Sequence, residues 1–143
     1  NILVVCVGNI CRSPMAEALL RHALQEANKS DYAVSSAGLG ALVNHAPDKT
    51  ACELMLKKGI DISDYKASQI NTQMIRKADV ILVMESGHKN ALVNDEPSAK
   101  GKVFRLGEWG GFDIPDPYQK DKAAFENALN LIEQGIAQWL KKL

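Results

Sequence analysis

Short apolar runs alternate with amphipathic stretches along nearly the whole chain. The first run, Ile2–Cys6, is continuous and mostly β-branched, and a second such run covers residues 79–84. Runs of this kind are typical of strands that are buried on both faces of a sheet. After the first run, apolar residues recur at helical spacing, with Ser13 as a candidate N-cap and Pro14 at the first helical position. A strand, a short loop and a helix are therefore predicted in this order.

The rest of the pattern continues the alternation. It predicts strands at residues 32–37 and 102–106, helices at residues 47–58, 71–78, 86–94 and 121–143, and a turn-rich loop at residues 107–118. Strands separated by helices predict an α/β fold with a parallel sheet covered on both sides. Ligands of such sheets bind at the carboxyl ends of the strands, where Cys6 lies. Because no repeat or linker-like segment interrupts the pattern, residues 1–143 are expected to form a single domain.

Composition removes several classes of function. The 143 residues include 17 Lys or Arg and 17 Asp or Glu, so no overall field attracts nucleic acid or an anionic membrane. No apolar stretch reaches the roughly 18 residues that span a bilayer, and the first run is too short for a secretory signal. Three cysteines, an odd number, favour a reducing compartment. We expect a cytoplasmic protein with no nucleic-acid partner and no membrane insertion.

The loop after the first strand carries the chemistry. Cys6 ends the strand, and Arg12 follows six residues later, just before a helix. Backbone N–H groups in such a turn, together with the positive end of the helix, form a cradle for a tetrahedral anion. Helix N-termini and neighbouring cations also favour the thiolate form of a cysteine. Cys6 is therefore the candidate nucleophile.

The other residues of the loop fit the same chemistry. The guanidinium of Arg12 can hold two phosphoryl oxygens at once, and the hydroxyl of Ser13 can donate to the Cys6 sulfur. Gly8 permits close approach of the backbone, and Asn9 tolerates a left-handed conformation. A bare C-x5-R match is more often a buried structural cysteine before an ordinary turn. Here strand, loop, serine, proline and helix occur in the required order, which favours a phosphate-binding loop.

Three segments of the chain form a recognisable set, in the same order as in a known family. They are Val5-Cys6-Val7-Gly8-Asn9-Ile10-Cys11-Arg12-Ser13-Pro14-Met15-Ala16-Glu17, Ser35-Ser36-Ala37-Gly38-Leu39 and Asp116-Pro117-Tyr118. The set resembles the low-molecular-weight protein tyrosine phosphatases over essentially the whole chain. The resemblance implies a twisted four-stranded parallel sheet with helices on both faces, a Rossmann-like fold of the phosphotyrosine phosphatase I type. It implies hydrolysis of phosphotyrosine through a phosphocysteine on Cys6, with no metal and no cofactor.

The aspartate of the third segment is the general acid, and then the base, that the resemblance implies. Asp116 lies between Pro115 and Pro117, which exclude a helix and hold the chain extended. On composition alone, Asp113 or Asp121 could fill the same role. Only the resemblance selects Asp116.

The resemblance also implies which residues surround the substrate. The substrate-binding residues expected on this basis are Val7, Gly8, Asn9, Ile10, Cys11, Ser13, Leu42 and Tyr118. Tyr118 would form an aromatic wall of the entrance, while Leu42 fits ordinary loop packing equally well. Asn9 and Ser36 are expected to support the loop through hydrogen bonds.

Two departures from the family pattern bear on the support network of the loop and on the branch of the family. After Asp64 the family often has His and then Ala-Arg-Gln, whereas this chain has Tyr65-Lys66-Ala67-Ser68-Gln69, so a support network near the site is expected to differ. Gln119 stands where vertebrate members often carry a second tyrosine. Together with the segment Gly38-Leu39-Gly40-Ala41-Leu42, this residue favours resemblance to the bacterial branch that is tied to tyrosine autokinases and capsule or exopolysaccharide export. The expected partner is a phosphotyrosine protein such as an autokinase, with phosphate and other tetrahedral oxyanions as inhibitors.

Two other functions fit the same loop. An arsenate reductase on this scaffold would bind arsenate in place of phosphate, but it needs resolving cysteines, which thioredoxin-coupled relatives carry around residues 80–90. Residues 82–90 contain no cysteine. A non-catalytic module that only binds phosphotyrosine needs neither a nucleophile nor an acid, so the joint presence of Cys6, Arg12, Ser13 and Asp116 argues against it.

The remaining cysteines and histidines have simpler interpretations. Cys11 shares the loop with Cys6, and resemblance to members with paired loop cysteines favours a protective disulfide over a packed thiol. Cys52 lies in a predicted helix and is expected to be a core residue. The three histidines are widely spaced and predict no metal site.

Overall fold

The first apolar run forms a central strand of one parallel sheet. The computed structural model describes residues 1–143 and orders the strands β2-β1-β3-β4. They are β1 (Ile2–Cys6), β2 (Val34–Gly38), β3 (Val80–Val83) and β4 (Val103–Arg105). All neighbouring strands pair in parallel, which confirms the predicted α/β class.

Five α-helices cover the two faces of the sheet. They are α1 (Arg12–Glu26), α2 (Lys49–Leu56), α3 (Thr72–Lys77), α4 (Ser86–Asp95) and α5 (Lys122–Leu140). Side chains alternate along β1, so Ile2, Val4 and Cys6 join the core under α1, α2 and α5. Leu3 and Val5 join the opposite core with residues of α3 and α4. Burial on both faces is the reason why this strand is continuously apolar.

Helix α1 begins earlier than the sequence predicted. Its N-cap is Cys11, which makes no side-chain cap hydrogen bond, and Ser13 and Pro14 are the second and third helical residues. The Ser13 hydroxyl lies 2.9 Å from the Cys6 sulfur and accepts a hydrogen bond of 2.6 Å from Asn9. The N-cap prediction for Ser13 is wrong because these tertiary contacts occupy the hydroxyl.

The other elements lie where they were predicted, with ends that differ by up to three residues. Side-chain oxygens of Asp48 and Asp121 cap α2 and α5, so these helices begin two residues and one residue after their predicted starts. The loop at residues 107–118 contains a short 3-10 helix, Glu108–Gly110, and a second one covers Pro97–Lys102. None of the helices is long and apolar enough to cross a membrane.

Candidate active site

The loop from Cys6 to Ser13 leaves the carboxyl end of β1 and is held from the side by the segment after β2. Backbone N–H groups of this segment donate to three successive loop carbonyls, with the pairs Leu39 to Cys6, Gly40 to Val7 and Leu42 to Gly8. The two segments approach so closely at Gly38 that a Cβ there would lie 2.4 Å from the Val7 carbonyl oxygen. Glycine is therefore required at this position.

A pocket of about 170 Å³ opens at this loop. It is lined by Cys6, Val7, Gly8, Ile10, Cys11, Arg12, Gly40, Leu42, Asp116 and Tyr118. Since an apolar cavity of about 150 Å³ holds benzene, the pocket has room for an aromatic ring. Asn9 and Ser13, which were expected to bind substrate, do not line the pocket and are buried beside it. Their part in substrate binding stays a prediction.

Hydrogen bonds from the buried side hold the loop and its sulfur. Asn9 has a left-handed backbone with φ of 60°, the conformation that asparagine tolerates better than most residues. Its Nδ2 donates to Ser13 Oγ at 2.6 Å and to Ser36 Oγ at 3.1 Å. Ser13 Oγ in turn lies 2.9 Å from Cys6 Sγ. The phenol of Tyr65 donates to Asn9 Oδ1 at 2.6 Å, so the departure from the family pattern falls inside this network.

Arg12 is buried under the pocket and is held from one side. Its Nη1 donates to Glu85 Oε2 at 2.6 Å and to the Ile114 carbonyl at 2.7 Å. Its Nη2 lies 3.5 Å from Asp116 Oδ2. Because the two strong bonds use Nη1 alone, the Nε and Nη2 groups keep donors for an anion in the pocket.

The three candidate aspartates have different surroundings. Asp116 lines the pocket, and its Oδ1 accepts a hydrogen bond of 3.0 Å from the Tyr118 backbone N–H. Asp113 binds Arg105 at 3.1 Å and Ser86 outside the pocket. Asp121 caps α5. Of the three, Asp116 is therefore placed for proton transfer to a ligand.

Glu85, which is partly exposed, and the buried His88 form a pair behind Arg12. The Glu85 backbone N–H donates to His88 Nδ1, and His88 Nε2 lies 3.3 Å from Glu85 Oε2. An Nδ1 that accepts must be unprotonated, so the imidazole is neutral with its proton on Nε2. Burial, and then the charge of Arg12, lowers the pKa of His88. The neutral imidazole therefore shares the Glu85 carboxylate with the guanidinium.

The two loop cysteines are both free and buried. Burial raises the pKa of the Cys11 thiol strongly, and the charges of Asp48 and Cys6 act in the same direction. Cys11 is therefore a neutral thiol at neutral pH. Cys52 lies in α2 with its sulfur 3.7 Å from the Pro47 carbonyl, away from the pocket.

Comparison with known proteins decides the family. A family model described as "Low molecular weight phosphotyrosine protein phosphatase" matches residues 1–143. The chain belongs to this family. A curated relative, "Probable low molecular weight protein-tyrosine-phosphatase EpsP" of Ralstonia solanacearum, is 49% identical over 143 residues, which is 100% of this chain and 95% of the relative.

Solved phosphatases have the same fold. Wzb of Vibrio vulnificus in complex with benzylphosphonate superposes with a TM-score of 0.92 at 40% identity, covering 99% of this chain and 97% of that one. The YwlE arginine phosphatase, in a mutant with a phosphorylated active-site serine, gives a TM-score of 0.93 at 29% identity, covering 99% and 94%. These matches confirm the predicted four-stranded fold of the family.

Two residues beside the pocket of this phosphatase, Glu85 and His88, were not predicted from the sequence. Glu85 directly follows β3, which pairs with β1 in parallel. Since adjacent parallel strands end at the same edge, an acidic residue after the second apolar run was a usable signal. His88 had no signal beyond its type, because only the fold of α4 turns it back onto Glu85.

Proposed function

We propose that this phosphatase hydrolyses phosphotyrosine through a phosphocysteine intermediate. The Cys6 sulfur attacks phosphorus, the bond from phosphorus to the tyrosine oxygen breaks, and Asp116 donates a proton to that oxygen. Asp116 then takes a proton from water, whose oxygen attacks phosphorus while the bond to sulfur breaks. Arg12 holds the equatorial oxygens, and Ser13 stabilises the thiolate before attack and as it leaves. The observation that supports this most directly is the meeting of Cys6, Arg12 and Asp116 in one pocket.

The walls of the pocket favour an aryl phosphate. Val7, Ile10, Leu42 and Tyr118 supply apolar and aromatic surface around the loop, which suits a ring carrying one tetrahedral anion. Benzylphosphonate, the ligand named for the Vibrio vulnificus relative, has this chemistry. The arginine phosphatase among the relatives makes phosphoarginine the competing substrate, and its polar guanidinium fits such walls less well.

The physiological partner follows from the branch of the family. We propose a bacterial phosphotyrosine protein, such as a tyrosine autokinase or another phosphoprotein of capsule or exopolysaccharide export. The bacterial sources of the relatives described above support this branch. Inhibition by phosphate and other tetrahedral oxyanions, and action in the cytoplasm where thiols stay reduced, belong to the same proposal.

The experiment is a comparison of Cys6→Ser and Arg12→Lys with Cys52→Ser. Turnover of phosphotyrosine, phosphoarginine and arsenate is measured with and without reductant. The first two variants should lose almost all phosphotyrosine turnover while keeping a native thermal transition, and Cys52→Ser should match the wild type. More than a tenth of the wild-type rate in Cys6→Ser would reject covalent catalysis through this sulfur. Faster turnover of phosphoarginine, or reductant-dependent reduction of arsenate, would reject the assigned substrate.

A further inference from the structure

One side chain of the loop and two side chains behind it form a closed ring of hydrogen bonds. Asn9 Nδ2 donates to Ser36 Oγ at 3.1 Å, Ser36 Oγ lies 2.6 Å from the Tyr65 hydroxyl, and that hydroxyl donates to Asn9 Oδ1 at 2.6 Å. Asn9 is fully buried and Ser36 nearly so. We call these three residues the Asn9–Ser36–Tyr65 ring.

A backbone group fixes the direction of every bond in the ring. The Ser68 backbone N–H, which can only donate, points at Asn9 Oδ1 at 2.8 Å. This contact identifies the oxygen of the Asn9 amide and leaves Nδ2 to face the two serines. Asn9 Oδ1 carries no proton, so the Tyr65 hydroxyl donates to it at 2.6 Å, with the Ser36 carbonyl oxygen as a longer second acceptor at 3.1 Å. Since the Tyr65 proton is used in this way, the Ser36 hydroxyl donates to the Tyr65 oxygen.

The ring direction determines where the Ser13 proton points. Ser13 Oγ accepts from Asn9 Nδ2 at 2.6 Å, so its proton is free for the Cys6 sulfur 2.9 Å away. With the amide turned over, Ser13 would instead donate to the amide oxygen, and the sulfur would lose its donor. A hydrogen bond to a thiolate stabilises the charged form.

We propose that Tyr65 is a positioning residue for the nucleophile, acting on the Cys6 sulfur through Asn9 and Ser13. Tyr65 is suited to this role because a phenol supplies one donor and one acceptor without carrying a charge. Burial raises the pKa of this phenol, which keeps its proton in the ring. The inference rests on the proposed function, since it concerns the nucleophile of that reaction.

The test compares Tyr65→Phe with Tyr32→Phe, a control at a tyrosine whose hydroxyl makes no hydrogen bond to the protein. Phenylalanine keeps the aromatic ring and removes the hydroxyl that closes the cycle. Turnover of an aryl phosphate and the pH profile of Cys6 alkylation by iodoacetamide are measured. For Tyr65→Phe, kcat should fall roughly three- to tenfold with KM within about twofold, the size of one hydrogen bond. The alkylation midpoint should rise by about half a unit to one unit, while Tyr32→Phe should behave as the wild type.

A second variant breaks the ring on its other side. Ser36→Ala should reproduce both changes, and the double variant should be little worse than either single variant, because the ring is already open. An unchanged alkylation profile in Tyr65→Phe, a defect confined to KM, or additive losses in the double variant would each overturn the proposal. Alkylation needs no substrate, so this readout distinguishes a failure of the ring from a failure of the proposed phosphatase activity.

Discussion

The two sides of the Cys6 loop are supported by opposite kinds of chemistry. On the buried side, the Asn9–Ser36–Tyr65 ring is neutral, and its side chains satisfy one another. On the pocket side, Arg12 carries a charge that is shared between Glu85 at 2.6 Å and Asp116 at 3.5 Å. The side chains on the buried side keep the loop in one conformation. Those on the pocket side must exchange hydrogen-bond partners and protons when an anion enters the pocket.

The difference follows from what each side has to do in a medium of low dielectric constant. A closed set of neutral hydrogen bonds can be buried because no polar group is left unpaired. A buried guanidinium needs an opposite charge at all times, and Glu85 supplies one without using the pocket-facing donors. Substitutions on the charged side should therefore reduce activity more than substitutions in the neutral ring. The activity of the charged-side variants should also change more with pH.

The largest loss of activity is expected on the charged side, at Asp116, the proposed general acid. Asp116→Asn keeps the size of the side chain but removes the transferable proton, so kcat should fall roughly 10²- to 10⁴-fold. The loss should shrink for leaving groups that need no proton, which a series of aryl phosphates measures. Asp113→Asn is the matched control because Asp113 binds Arg105 outside the pocket. A larger defect in the control would mean that the acid is wrongly assigned.

The second largest loss of activity is expected when Glu85, the partner that anchors Arg12, is replaced. Glu85→Gln keeps a carbonyl oxygen for the guanidinium and removes the charge, and kcat/KM should fall roughly 10- to 100-fold, the range for a charge-assisted hydrogen bond. Glu108→Gln is the control, since Glu108 pairs with Arg105 at 3.2 Å away from the pocket. Steady-state kinetics on an aryl phosphate measures both. If the two glutamate variants lose activity equally, Glu85 has no special role in holding Arg12.

A third prediction concerns the two thiols of the loop. Peroxide should inactivate the wild type reversibly, with phosphate protecting, while Cys11→Ser should keep most activity but regain less than about half of it when thiol is added. The raised pKa keeps the Cys11 thiol protonated. Protection of Cys6 by disulfide formation with Cys11 should therefore increase as pH rises. Activity recovery and a peptide map test this. Equal recovery of both proteins, or a disulfide between Cys6 and Cys52, would contradict the pairing.

The smallest expected effect is the pH dependence of stability at His88. Its pKa is lowered in the folded protein, so the unfolded chain binds the proton more readily below about pH 6.5. The contribution to stability is therefore complete above that pH and is lost as pH falls through the lowered folded value. His88→Asn keeps an acceptor for the Glu85 N–H and should reduce the fall in Tm between about pH 7 and 5 by roughly 2–4 °C. His45→Asn, a change on an exposed loop, should have the same dependence of Tm on pH as the wild type. An equal change in both variants would exclude His88 as the source of the pH dependence of stability.

The sequence by itself determined the chemistry that lies close together along the chain. Strand, loop and helix from Ile2 to Glu26 are local, so apolar pattern and motif order predicted the nucleophile, the arginine and the parallel sheet. Asn9 was also predictable, because tolerance of a left-handed backbone belongs to the residue type. Even there, the N-cap expectation for Ser13 failed, since a hydroxyl can serve only the contact that the fold brings to it.

The tertiary structure decided how distant groups complete the site. Composition left Asp113, Asp116 and Asp121 equivalent, the family resemblance selected Asp116, and the path of the loop before α5 brings it to the pocket. Glu85 and Tyr65 reach the loop from segments 73 and 56 residues away from their partners Arg12 and Asn9. Side-chain periodicity reports which face of an element is buried, but it carries no record of which segments meet there. Those meetings depend on strand order and on the paths of irregular segments, which packing of the whole chain selects.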